Sequence, residues 1–222
     1  MTKEENRKRI ADVGIVPVVR ASSPQQALLA AEAICAGGIP IVEVTMTVPG
    51  AIEVIGQLAK TAGKDVLVGA GTVLDADTAQ RCLDAGAEFL VSPGFDLRTV
   101  NLAKEKGILI IAGALTPTEI VTAWKAGSDL VKIFPCGTVG GAKYIKALKG
   151  PLPQVPMVPT GGVNLDTAAD FILAGAEALG VGGELVSSSA LKSGKTNEIT
   201  EAARRFVAIV RETRQQIAAK ST

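Results

Sequence analysis

Histidine is missing from all 222 residues. Ser-His-Asp and Cys-His nucleophile pairs need an imidazole to take the proton, and zinc enzymes usually draw on His-rich ligand sets, so no metal site and no zinc-dependent chemistry is expected. Cysteine is scarce. Cys35, Cys82 and Cys136 are odd in number, far apart and in no CxxC arrangement, which fits a reducing cytoplasm better than a disulfide framework. Aromatic residues make up 3% of the chain, and Trp124, Tyr144 and the five phenylalanines form no series on which bases could stack. Net charge is almost absent. With 23 basic and 22 acidic residues, formally +1, the chain has no field to draw nucleic acid or an anionic membrane, so an anionic ligand must be caught locally. No apolar run approaches ~18 residues, and the N-terminus, MTKEENRKRIADVG, is polar where a signal peptide would be apolar. A soluble cytoplasmic protein, with no nucleic-acid and no membrane partner, is the expectation.

What is present is aliphatic. Hydrophobic residues reach 47% with few rings among them, so Val, Ile, Leu and Ala must fill the core, as they do in the interiors of α/β barrels. Eight short runs rich in β-branched residues recur, at 15–20, 41–46, 66–73, 89–94, 108–114, 130–135, 157–162 and 178–183, and read as buried strands. Helical patterns lie between them, for instance 24–38 and 75–87, each closing on a glycine. The spacing of roughly 20 to 25 residues is that of one βα unit per period. The predicted fold is a single (β/α)₈ TIM barrel spanning 1–222, with an N-terminal helical extension and a long closing helix over 196–220. An open doubly wound sheet is the competing topology, but no GxGxxG opens its first helix. Polar residues, Arg20, Glu43, Thr72, Lys132 and Thr160 among them, fall within or at the ends of apolar strands, where barrels place their chemistry.

In LVKIFP the side chains alternate, so Leu130, Lys132 and Phe134 share one face and Val131 and Ile133 the other. If Val131 and Ile133 face the helices, Lys132 lies inside. Burial then penalises its ammonium form and moves its pKa from ~10.4 toward neutrality, and a neutral amine can attack a ketone. A structural lysine, paired with a carboxylate or snorkelling to water, is the other reading. Glu43 shares a face with Ile41 and Thr45; a buried carboxylate needs a partner, and Lys132 is the obvious one. Such a carboxylate could shuttle protons beside an imine, or be one half of a structural ion pair. Arg20 ends the first strand and could hold a carboxylate or phosphate through its fork, or simply sit at the surface. The glycines of GAGT (69–72), TGG (160–162) and VGG (181–183) let backbone N–H groups approach an anion, and two of these segments follow strands 7 and 8, where barrels frequently build a phosphate site. Cys136 has no histidine to activate it and reads as a packing residue.

EVT at Glu43, GAGTV at Gly69, VSPG at Val91, KIFP at Lys132 and PTGG at Pro159 together resemble the 2-keto-3-deoxy-6-phosphogluconate (KDPG) / 4-hydroxy-2-oxoglutarate (KHG) aldolase family, in order and spacing over nearly the whole chain. The resemblance implies a homotrimeric barrel without cofactor, a class I aldolase that splits its 2-keto acid substrate into pyruvate and glyceraldehyde 3-phosphate. It implies Lys132 as the Schiff-base lysine and Glu43 as the general acid/base. Thr72, Pro93 and Phe134 match positions shaping the pyruvate pocket. Thr160, Gly161, Gly162, Gly182 and Gly183 match the ring that receives the distal phosphate, with Arg20 reaching in.

Two positions depart from the family pattern. Thr47, followed by Val48 and Pro49, stands where many members carry an arginine toward the substrate's carboxylate. Glu184 stands where the family more commonly has a serine facing the phosphate, and a carboxylate there repels a dianion unless it turns outward. A non-phosphorylated 2-keto-4-hydroxy acid, 4-hydroxy-2-oxoglutarate among them, is therefore an alternative substrate. Two rival readings are a magnesium-dependent, thiamin phosphate synthase-like barrel and a catalytically silent scaffold in which Lys132 and Glu43 are an ion pair.

Overall fold

Residues 2–63 and 65–220 are described by a computed structural model. Strands form at all eight expected places: β1 (Ile15–Val19), β2 (Ile41–Thr45), β3 (Leu67–Gly71), β4 (Phe89–Val91), β5 (Leu109–Ala114), β6 (Leu130–Ile133), β7 (Met157–Pro159) and β8 (Leu179–Val181). Each stops earlier than the apolar run that announced it or begins one residue later. Helices α1 (Lys3–Val13), α2 (Pro24–Ala36), α3 (Ala51–Thr61), α4 (Ala76–Asp84), α5 (Leu97–Glu105), α6 (Pro117–Ala126), α7 (Ala142–Lys149), α8 (Ala168–Leu173), α9 (Ser188–Ser193) and α10 (Thr196–Lys220) complete the described elements. Their starts obey local chemistry. Ser23 accepts from Gln26 N ahead of Pro24, and Thr116 with Glu119 forms a reciprocal capping box, which satisfies N–H groups the helix itself leaves open.

All pairings are parallel, in the order β7-β6-β5-β4-β3-β2-β1-β8. The sheet closes on itself through one isolated bridge, Thr160 to Gly180, so the barrel's seam lies between β7 and β8. Every strand residue is buried, as expected for a parallel sheet wrapped by helices.

A core poor in rings still needs volume, and glycine manages the fit. Phe89 is fully buried, and a Cβ on Gly69 of the neighbouring strand would overlap its ring. Gly69→Ala is therefore expected to cost about 1–3 kcal/mol of stability through overpacking, read as a lower denaturant midpoint. An unchanged midpoint would mean that the ring relocates freely.

The expected N-terminal extension is α1, and it closes one end of the barrel. Its Asn6 reaches Glu88 O, Arg9 reaches Asp65 O and Lys3 pairs with Asp129 at 2.7 Å; these partners sit just before β4, β3 and β6. α1 thus crosses the N-terminal ends of the strands and leaves the C-terminal ends as the open face. The closing helix α10 packs on α2 and α8, with Thr200 Oγ1 donating to Ala33 O at 3.0 Å and Arg214 bridging Asp12 O and Glu177 O, both at 2.8 Å. No helix among the described residues is long and apolar enough to cross a membrane.

Candidate active site

Lys132 lies in mid-β6 opposite Gly113 on β5 and Val158 on β7. It is 4% exposed, and its Nζ stands over the Phe134 ring, 5.2 Å from the centroid. Desolvation lowers the pKa of the amine from the ordinary lysine value; Glu43 opposes this and the Arg20 charge adds to it. Glu43 lies in mid-β2, opposite Val18 and Gly69, and is 1% exposed. Burial drives its carboxyl upward, against the charges of Lys132 and Arg20.

The two groups feel each other electrostatically but form no salt bridge among the described ion pairs. The direct pairing expected from burial alone does not occur. The reason is local: the Glu43 carboxylate leans over Gly71, where a Cβ on that residue would overlap its Oε1. Oε1 itself has no hydrogen-bond partner. A buried pair that declines to ion-pair is better accommodated uncharged. Burial thus acts on both groups in the direction of their uncharged forms, Lys132 toward the free amine and Glu43 toward the carboxylic acid.

Strand-end glycines set the surrounding shape. Thr72 follows Gly71 with φ +57, a left-handed conformation that costs a β-branched residue about 1–3 kcal/mol. Pro93 lies in a loop tied back to β5: Ser92 Oγ donates to Gly94 O, and Gly113 N donates toward Gly94 O at 3.3 Å. The Pro93 backbone rests against Gly113, where any Cβ would collide with it. Gly113 and Ser92 shape the site beyond what the sequence led one to expect, and Gly71, expected within GAGT to bring backbone N–H groups to an anion, instead makes room for the Glu43 carboxylate. Glycine inside a strand pattern, in GAG and IAGA, marks close approach of another group and was the available signal.

Beside this buried pair, a cavity of about 240 Å³ opens at the β7/β8 seam. Arg20, Phe134, Thr160, Gly161, Gly162, Gly182, Gly183 and Glu184 all line it. Thr160 lies against Gly180, which has no room for a Cβ. The backbone N–H groups of Gly162, Gly183 and Glu184 find no acceptor among the described residues, so these donors remain for an anion. Lys132, Glu43, Thr47, Thr72 and Pro93 do not line this cavity. Phe134 joins the two regions, with its ring at Lys132 and its side on the cavity. Thr47 is exposed, and its hydroxyl meets Thr45 Oγ1 at 2.6 Å, which in turn donates to Val19 O at 3.1 Å beside Arg20. Cys136 is buried, with its thiol pushed up to about 11 by desolvation, in keeping with a packing role. No group of three or more His, Cys, Asp or Glu able to hold a metal ion occurs among the described residues.

A family model described as KDPG and KHG aldolase matches residues 6–202. The chain belongs to the KDPG and KHG aldolase family. Among relatives of this family, the 2-dehydro-3-deoxy-phosphogluconate aldolase of Treponema pallidum is 37% identical over 199 residues, 89% of this chain and 94% of its own. The KHG/KDPG aldolase of Escherichia coli K12 is 36% identical, covering 87% of this chain and 90% of its own. In structure, the chain superposes on the KDPG aldolase of Legionella pneumophila with a TM-score of 0.83 at 32% identity, covering 89% of this chain and 96% of that one; the Legionella enzyme was captured with pyruvate as a covalent carbinolamine.

Proposed function

We propose that the chain is a class I aldolase cleaving 2-keto-3-deoxy-6-phosphogluconate to pyruvate and glyceraldehyde 3-phosphate through an imine on Lys132. The observation that carries this reading is the desolvated Lys132 amine sharing the barrel interior with a buried Glu43 whose Oε1 has no partner, in a chain belonging to the KDPG and KHG aldolase family.

In the forward direction the Lys132 amine attacks the C2 ketone, and Glu43 protonates the carbinolamine oxygen, which leaves as water. Glu43, now a carboxylate, takes the proton of the C4 hydroxyl. The C3–C4 bond breaks, its electron pair passes to the iminium, and the aldehyde departs from an enamine. Protonation of the enamine at C3 and attack by water return pyruvate and the free amine. In this reading Thr72, Pro93 and Phe134 shape the pyruvate end, and Thr47 stands near the substrate's carboxylate. Thr160, Gly161, Gly162, Gly182 and Gly183 take the distal end with Arg20.

One observation favours a second substrate. Glu184 lines the same cavity as the free glycine N–H groups, where a carboxylate opposes a dianion. A non-phosphorylated 2-keto-4-hydroxy acid, giving glyoxylate in the case of 4-hydroxy-2-oxoglutarate, meets no such opposition. We further propose one barrel domain over 1–222 and a cytoplasmic homotrimer, readings supported by family resemblance and by the unpaired cysteines.

Incubation with pyruvate and borohydride, followed by peptide mass spectrometry, is expected to place a reduced adduct on Lys132. Turnover is expected to be unchanged in EDTA. Folded, active protein that yields no adduct would return the problem to a metal-dependent barrel; folded protein with neither adduct nor turnover would leave a scaffold. Comparing kcat/KM for the phosphorylated and shorter substrates ranks the two within the aldolase reading.

A further inference from the structure

A second cavity, of about 260 Å³, adjoins the first across Arg20, which lines both. Its remaining walls are Ala21, Ser22, Gln26, Ser188, Leu191 and Lys192, from the β1–α2 connection, the first turn of α2 and α9. The two cavities differ in charge. The first is lined by both Arg20 and Glu184; the second is lined by Arg20 and Lys192 and by no carboxylate. Neither cation has a salt bridge or hydrogen bond among the described residues, and the Ser188 hydroxyl is equally unengaged. Two cations facing one small space repel each other until an anion joins them. A guanidinium, an ammonium and a hydroxyl together supply the charged and neutral donors a phosphate group accepts from.

We infer that this second cavity is an anion site for a phosphate-sized dianion, separate from the glycine-lined cavity and coupled to it through Arg20. An anion seated between Arg20 and Lys192 draws on the guanidinium that the first cavity also uses, so each site weakens the other, and by the same factor in both directions. A free phosphate, or the phosphate end of a small phosphorylated metabolite, would thereby lower the affinity of the first cavity for an anionic substrate tail. Arg20 also acts electrostatically on both Lys132 and Glu43, so neutralising its charge is felt at the buried pair.

Inorganic phosphate is the probe, followed by isothermal titration with the full chain. Wild type is expected to bind two phosphates per chain. Lys192→Ala should weaken one of them about tenfold or more, the scale of a lost charge-assisted contact, and Lys192→Arg should restore it. Lys192 is exposed, so neither substitution threatens the fold. Isotherms of wild type and Lys192→Ala that superimpose overturn the inference. The readout is binding of phosphate alone, so the result stands whether or not the borohydride experiment finds an imine.

Discussion

Lys132→Met is expected to abolish pyruvate trapping and to lower kcat by roughly 10⁴-fold or more, the scale of losing a covalent nucleophile, while leaving the fold at least as stable as wild type at neutral pH. The two halves of this expectation share one cause. Burial holds the folded-state pKa of Lys132 below its unfolded value, so between the two pKa values the unfolded chain binds more protons and stability rises with pH. The cost of burying the ammonium is therefore fully present below the folded pKa and is relieved as pH rises toward ~10.4, the unfolded value. Methionine keeps the length and removes the charge, so its advantage over wild type should be largest at low and neutral pH and shrink toward pH ~10. Glu43 then loses the nearest opposing charge and its carboxyl moves further up, taking a proton rather than standing as a bare anion. Thermal unfolding of both proteins across this range checks the stability claim. A methionine variant that unfolds at neutral pH, or one that still traps pyruvate, would remove Lys132 from the role assigned to it.

Glu43→Gln is expected to lower kcat about 10²–10⁴-fold, the usual worth of a positioned general acid/base, with the pyruvate adduct still reachable slowly. Its pH profile carries the signature. Burial lowers the pKa of Lys132 and raises that of Glu43, so the wild-type profile should carry one limb from each group. Glutamine leaves the Lys132 limb and removes the Glu43 one. Gly71→Ala should mimic much of this loss without touching an ionisable group, because the new methyl occupies the space of the Glu43 carboxylate. If Gly71 acts by positioning Glu43, the double variant Gly71→Ala, Glu43→Gln should be little worse than Glu43→Gln alone. Simple additivity of the two losses would show that Gly71 matters for some other reason, and an unaltered Gly71→Ala enzyme would show that the carboxylate is free to move.

Much of this was legible in the chain because it depends on local chemistry. Period-two alternation around Lys132 and Glu43 was enough to put both on inner faces, since a strand has only two faces and the other was needed for helix packing. The glycine segments at the ends of β7 and β8 pointed to an anion cavity because those positions meet in any closed barrel of this topology. What could not be read were relations between strands. Nothing in IVEVT says that the Glu43 carboxylate lies over Gly71 of the next strand rather than on the Lys132 amine, and the expected direct ion pair failed on that one contact. Nothing in SPG and IAGA says that Pro93 rests on Gly113. Thr72 is a β-branched residue in a left-handed conformation, which its own preferences oppose and only the surrounding turn imposes.

The sequence by itself determined the strand count, the faces that carry Glu43 and Lys132, the absence of histidine chemistry and the identity of the two buried ionisable residues, because each of these follows from composition and side-chain period. Only the tertiary structure decided where the barrel closes, which glycines make room for which side chains, and that Arg20 stands between two cavities of different charge. Those are properties of distance between segments far apart in the chain, and the register and curvature of the closed sheet set them.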